Sequence, residues 1–184
     1  GIARLIRPNT RLVICTHASN ICSYSLPIRE IGAFCKRHGI LFAVDAAQSA
    51  GHLPIDMEDM GIDALCIPGH KGLYGIQGAG ALAFSEKIRL DTLVEGGNGL
   101  ASLEGAMSED FPERYEAGTL PTPAIVGLAE GIKVLSSLGL DKIADHEKAL
   151  FEYARTKLSE IPDITLHMPQ YSGSVLLFSH RNIN

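Results

Sequence analysis

Apolar residues gather in short runs that alternate with amphipathic stretches along the first two-thirds of the chain. Arg11-Leu12-Val13-Ile14-Cys15 is a β-branched run that reads as a buried strand. Ser25 then stands where it can cap a helix with Pro27 in its first turn. Ile28, Ile31, Phe34 and Cys35 share one face of that helix, Lys36-Arg37-His38 set positive charge at its negative end, and Gly39 stops it. Ile40 to Val44 is the next strand, halting at Asp45. Asp56 can cap a short helix closed by Gly61, and Ala64-Leu65-Cys66-Ile67 follows as a third strand. A fourth, Ala79 to Phe84, comes after a glycine-rich loop.

Strand and helix spacing of this kind predicts parallel strands joined by right-handed crossovers. Ligands in such sheets gather beyond the carboxyl ends of the strands. From Leu90 to Pro121 the pattern loosens into Gly96-Gly97-Asn98-Gly99 and a polar stretch, expected to be a long functional loop. Thr122-Pro123 starts a helix with Ile125, Leu128, Ala129, Ile132 and Leu135 on one side, ended by Gly139. Asp141 caps another that turns Ile143, Leu150, Ala154 and Leu158 inward, with Pro162 beyond its end. Two short strands are expected at Ile164 to Met168 and Val175 to Phe178. The shift in composition near residue 121 predicts a domain boundary, dividing the chain into 1–121 and 122–184.

Composition narrows the function classes. The 184 residues carry 16 basic and 21 acidic side chains, a formal net charge of −5, which lacks the basic footprint of a nucleic-acid binder. With 46% apolar and 20% charged residues the chain is not disordered as a whole. No apolar run approaches the roughly 18 residues that span a bilayer, which argues against membrane insertion. The four cysteines form no metal-binding spacing, and Cys15, Cys35 and Cys66 lie inside apolar runs, where they read as small buried hydrophobes. Isolated thiols fit a reducing cytoplasm. The acidic group Asp56, Glu58 and Asp59 reads as a solvated helix start rather than a metal site. No metal is expected.

Three strand ends carry polar chemistry: Thr16-His17-Ala18-Ser19-Asn20, Asp45-Ala46-Ala47-Gln48 and Pro68-Gly69-His70-Lys71. Singly, each has an ordinary explanation. Asp45 is more often a turn residue, Lys71 a solvated loop lysine, Asn20 a turn former and Gln48 a polar helix residue. Together they supply complementary functions. A lysine amine forms a Schiff base with a carbonyl cofactor, a carboxylate keeps a pyridine nitrogen protonated, and an amide donates to a ring oxygen. Those are the parts that pyridoxal phosphate chemistry requires. Gly75-Ile76-Gln77-Gly78-Ala79-Gly80 has the wrong glycine order for a dinucleotide fingerprint and precedes a strand, so it reads as a close-packed turn behind Lys71. His52, beside Pro54, reads as structural, and Arg114 as an exposed loop arginine.

The run Ala43-Val44-Asp45-Ala46-Ala47-Gln48-Ser49-Ala50-Gly51, followed by Gly69-His70-Lys71-Gly72-Leu73-Tyr74-Gly75, resembles the class V aminotransferase family, and within it the cysteine desulfurase and selenocysteine lyase branch. Thr16 to Asn20 upstream and Glu116-Ala117-Gly118-Thr119 downstream keep the family's order and approximate spacing. The resemblance runs from Arg11 to the helices after Pro123; Asp-x-x-Gln with the His-Lys pair is its specific part.

The resemblance implies an α/β fold, the fold type I large domain with a mostly parallel sheet, plus the start of an α+β small domain. Residues 1–121 would be part of the large domain, and 122–184 the interdomain helix and the beginning of the small one. It implies pyridoxal 5'-phosphate bound as a Schiff base to Lys71, which would also shuttle the substrate proton. Asp45 would pair with the ring nitrogen and Gln48 with the phenolic oxygen. Asn20 would lie beside that oxygen and the substrate carboxylate. His70 would contact the cofactor phosphate, and Thr119 the phosphate of a neighbouring subunit, implying a homodimer with composite sites. The substrate would be an amino acid, L-cysteine giving alanine and enzyme-bound sulfur, with a sulfur-acceptor protein as a further partner. Transamination, epimerisation or selenocysteine cleavage stay open as alternatives, as does a non-catalytic piece lacking a complete cofactor site.

Two departures qualify the resemblance. The family commonly has serine where this chain has Pro68, so phosphate binding must lean on other groups. The family's phosphate loop and stacking aromatic would lie upstream of Gly1, and its reactive cysteine and carboxylate-binding arginine downstream of Asn184. None of Cys15, Cys22, Cys35 and Cys66 matches that cysteine, and the chain reads as a central fragment of a roughly twice-longer enzyme.

Overall fold

Four strands make the main sheet of this computed structural model, which describes residues 1–97, 99, 107–167, 170 and 174–183. They are β1 (Leu12–Thr16), β2 (Leu41–Asp45), β3 (Ala64–Pro68) and β4 (Gly80–Phe84), in that spatial order. β1, β2 and β3 are parallel as expected, and their register sets Thr16 abreast of Asp45 and Asp45 abreast of Cys66. β4 is antiparallel to β3, with Gly80 opposite Pro68. The sheet is thus mostly parallel, as expected, and the fourth strand is the one that departs from the parallel crossover pattern. The intervening residues 69–79 are fewer than the dozen or more that a crossover needs, and they carry no helix.

Helix α1 (Ile28–Arg37) covers one face of the sheet. Its Ile28 and Cys35 join Phe42, Val44, Leu65 and Ile62 in a single apolar cluster, with Ile31 and Phe34 packed against it. The predicted helix face is therefore the buried one. Its cap differs: the N-cap is Pro27, and no side chain caps the helix. Ser25 is instead taken up in a bridge to Ala18, two residues too early to serve the first turn. Gly32 faces the 56–61 segment so closely that a methyl group there would stand 1.9 Å from the Met60 carbonyl oxygen. That segment is one turn rather than the expected short helix. Asp56 Oδ1 accepts the Asp59 amide at 2.9 Å, and Gly61 turns away at a φ of +64°.

Asp63 then ties three strands together from a buried position. Its Oδ2 accepts the Phe42 amide at 3.0 Å, and its Oδ1 accepts Lys87 Nζ at 2.9 Å and Ser85 Oγ at 3.3 Å. Beyond the sheet, α2 (Thr122–Leu138) and α3 (Leu140–Ser159) meet at Gly139, bent by 81°. A two-stranded antiparallel sheet, β5 (Ile164–His167) and β6 (Leu177–His180), follows. Asn98 of the expected loop and Met168 of the expected fifth strand lie outside the described residues.

The inward face of α2 is rotated from the expected one: Leu128 and Leu135 are buried as expected, but Ile125, Ala129 and Ile132 are not. Ala124, Leu128, Gly131 and Leu135 are buried, while Ile125 and Ile132 stay more than two-fifths exposed. Close approach explains the rotation: a methyl group on Gly131 would stand 2.2 Å from the Leu73 carbonyl oxygen, so no side chain fits at that position. In α3, likewise, Phe151 is the buried residue and Leu150 is exposed; the N-cap is Gly139, and Asp141 sits in the first turn without capping. No single helix among the described residues is long and apolar enough to cross a membrane.

Candidate active site

The parallel register delivers three chain segments to one end of the sheet. Past β1 the chain enters the 17–26 loop, which folds back on itself through Ser19 N–H to the Tyr24 carbonyl at 2.9 Å and Leu26 N–H to the His17 carbonyl at 2.8 Å. Asn20 sits at the exposed tip of this loop. Past β2, Asp45 turns the chain: its Oδ1 accepts the Ala47 amide at 2.8 Å, and Gln48 follows half-buried in the next turn. Past β3 comes the loop that carries His70 and Lys71, both exposed.

A shallow cleft of about 580 Å³ opens where the ends of β2 and β3 meet. Asp45, His70 and Lys71 line it together with Ala47, Cys66, Pro68 and Ala81. The structure thus brings three of the six expected site residues to one cavity. Asn20, Gln48 and Thr119 are not among its lining residues. Thr119 lies exposed beside Gly118, whose φ is +81°, just before α2.

The Lys71 loop is held by backbone contacts on both sides. Tyr74 N–H donates to the Lys71 carbonyl at 3.0 Å, and Gly75 N–H to the Gly69 carbonyl at 2.9 Å. Tyr74 itself has a φ of +58°, a costly conformation for a bulky residue that the surrounding contacts must impose. On one side, a methyl group at Gly72 would stand 2.2 Å from the Ala50 carbonyl oxygen and 2.5 Å from the His52 ring. On the other, one at Gly75 would stand 3.0 Å from the Leu128 α-carbon of α2. The glycines around Lys71 form a close-packed turn, as the sequence pattern predicts.

Electrostatics divide the neighbourhood. His17 is buried, its Nδ1 has no hydrogen-bond partner, and burial lowers its pKa from the ordinary histidine value. Burial thus favours its neutral form. Cys15 is likewise held neutral, burial pushing its thiol up to about 11. Cys66 overturns the expectation of a buried hydrophobe: it is exposed and lines the cleft beside Asp45. Strand alternation carries the signal for this, because Leu65 on β3 faces the core and Cys66 must face the other way. Two further residues were not singled out for the site from the sequence. Glu147 of α3 stands 2.5 Å from Nδ1 of His52, and Ser174 Oγ donates to its other oxygen at 2.7 Å. No local pattern joins residues 95 positions apart.

Comparison with known proteins gives consistent results. The profile described as Aminotransferase class-V matches residues 2–184. A cysteine desulfurase of Salmonella agona (strain SL483) is 37% identical over 186 residues, covering 98% of this chain and 46% of that protein. Its counterpart in Salmonella newport (strain SL254) is 37% identical over 183 residues, 97% of this chain and 45% of the relative. Among solved structures, the apo cysteine desulfurase of Thermococcus onnurineus NA1 superposes with a TM-score of 0.77 at 28% identity, covering 94% of this chain and 45% of that one. The cysteine desulfurase CsdA of Escherichia coli superposes with a TM-score of 0.86 over all of this chain and 46% of its own, at 23% identity, and speaks to the fold alone. The chain spans about half the length of the curated relatives it matches.

Proposed function

Because the chain belongs to the class V aminotransferase family, we propose that it forms the cofactor-binding part of a pyridoxal-phosphate enzyme of cysteine desulfurase type. The observation that carries this reading is the convergence of Lys71, Asp45 and His70 on one cleft at the strand ends. Their chemistry fits the group: an amine for a carbonyl carbon, a carboxylate for a ring nitrogen and an imidazole for a phosphate. Pyridoxal phosphate, when bound, supplies the aldehyde and an electron-withdrawing ring that acidifies the substrate α-carbon.

In this reading Lys71 would hold the cofactor through Nζ and would take and return the substrate α-proton at that atom. Asp45 keeps the ring nitrogen charged. Its Oδ1 is already oriented by the Ala47 amide, so the carboxylate enters the reaction preorganised. His70 borders the phosphate, and Gln48 and Asn20 donate to the ring oxygen from the adjoining turns. Thr119 serves the phosphate of a second copy in a homodimer. The substrate would be L-cysteine, its sulfur passing to a cysteine thiolate other than the four of this chain and leaving alanine, with onward transfer to an acceptor protein in the cytoplasm. With a boundary near residue 121, these groups would belong to the large domain and α2 would be the interdomain helix.

A second reading, binding without turnover, is favoured by Asn20, Gln48 and Thr119 not lining the cleft. One experiment serves both. The chain is mixed with pyridoxal phosphate, reduced with borohydride and mapped by mass spectrometry. The first reading expects a visible absorption band and a label on Lys71 that Lys71→Ala abolishes. A label spread evenly over exposed lysines would sink the Lys71 assignment. A Lys71 label with no exchange of the cysteine α-proton in deuterated water would select the second reading.

A further inference from the structure

We propose that His52 and Glu147 form a strut that positions Lys71, transmitting the placement of α3 onto the backbone beside the reactive amine. This rests on the assignment of Lys71 above and adds two positioning residues to it. The His52 ring is wedged against Gly72, the residue that directly follows Lys71, where a methyl group would meet ring atoms Cδ2 and Nε2 at 2.5 Å. The ring is fixed from its far side, because Nδ1 stands 2.5 Å from Glu147 Oε1. Glu147 is fixed in turn: its second oxygen accepts Ser174 Oγ at 2.7 Å, so neither oxygen is left to swing the carboxylate away. Both side chains of the pair are three-quarters or more buried, which shields the contact from competing water.

The geometry makes this a linkage between distant parts of the chain. His52 belongs to the turn after β2 and Glu147 to α3, and the Lys71 loop lies against the ring between them. On its opposite side that loop rests on Leu128 and Gly131 of α2. The loop is clamped between α2 and a histidine anchored by α3. A group that reacts covalently gains rate from such fixed placement, and a small displacement of its backbone loses it.

The test uses two independent measurements on the chain. In the first, amide hydrogen exchange is followed in peptides covering residues 69–75 and 41–45. Glu147→Ala is expected to raise exchange in 69–75 by on the order of fivefold, the worth of one net hydrogen bond, and to leave 41–45 unchanged. Glu147→Gln, which keeps an acceptor for the imidazole, is expected to behave as the parent chain. In a His52→Ala background, Glu147→Ala should add nothing. Equal protection of 69–75 in the parent and Glu147→Ala chains would overturn the strut, and so would a loss spread equally over 41–45.

In the second measurement, the rate of borohydride-fixed pyridoxal phosphate labelling is read at Lys71, with Lys36 and Lys133 as internal references. Glu147→Ala should slow Lys71 alone by a similar factor, and Glu147→Gln should rescue it. A preferential Lys71 label that is indifferent to Glu147→Ala overturns the strut. No preference for Lys71 in the parent chain overturns the cofactor assignment instead, and the exchange measurement then decides the strut by itself.

Discussion

The two faces of the main sheet carry similar side chains and meet different surroundings. On one face Phe42, Val44 and Leu65 pack with Ile28 and Cys35 of α1, and Phe42 is 0% exposed. On the other, Ile14 is 68% exposed, and Leu12 and Leu82 are nearly half exposed. Parallel strands are ordinarily covered on both faces. An apolar run therefore specifies a strand without specifying what covers each of its sides. The same contrast separates the cysteines, since Cys35 of α1 points into the covered side and is buried while Cys66 faces the open side and is exposed.

The largest expected effect breaks the covered face. Phe42→Ala should cost about 3–5 kcal/mol in denaturant unfolding, the range for deleting a buried aromatic ring, whereas Ile14→Ala should stay within about 0.5 kcal/mol. Equal losses at the two positions would mean that both faces are covered in solution. A smaller effect belongs to the polar anchor at the edge of the covered cluster. Asp63→Ala leaves the Phe42 amide without its side-chain acceptor and should cost about 1–3 kcal/mol. Asp63→Asn, which keeps one acceptor oxygen, should lose less; the reverse order would show that the exposed Lys87 contact carries the stability instead.

The smallest effect is a pH slope from His17, which continues the covered alternation of Val13 and Cys15. Burial lowers its folded-state pKa from the ordinary 6.5, so on acidification the unfolded chain takes up the proton first. The neutral ring's contribution to stability is full above pH 6.5 and is lost as the pH falls from there toward the lowered folded value. Melting temperatures measured between pH 7.5 and 5.5 should fall less steeply for His17→Gln than for the parent chain. Identical slopes would show that His17 does not feel its burial.

Much of this arrangement was legible in the residues. The three parallel strands, the α1 face and the Gly139 break follow from local periodicity and turn chemistry, which act over a few residues. The candidate lysine and aspartate were legible because each closes an apolar run, and parallel strands bring such ends together. The inward face of α2 was legible only through Leu128 and Leu135, because Gly131 is buried by close backbone approach, which hydrophobicity does not register. The open side of β3, where Cys66 sits in an apolar run yet faces the cleft, was not legible.

The sequence by itself determined the strand and helix succession, the membership of Lys71, Asp45 and His70 in strand-end loops, and a close-packed glycine turn around the lysine. Only the tertiary structure decided that β4 runs antiparallel, that those three side chains share one cleft, and that Glu147 reaches His52 behind Gly72. The physical reason is range. Periodicity, capping and turn preferences are fixed by neighbours along the chain, whereas register, close approach and the meeting of residues 95 positions apart depend on how whole elements pack.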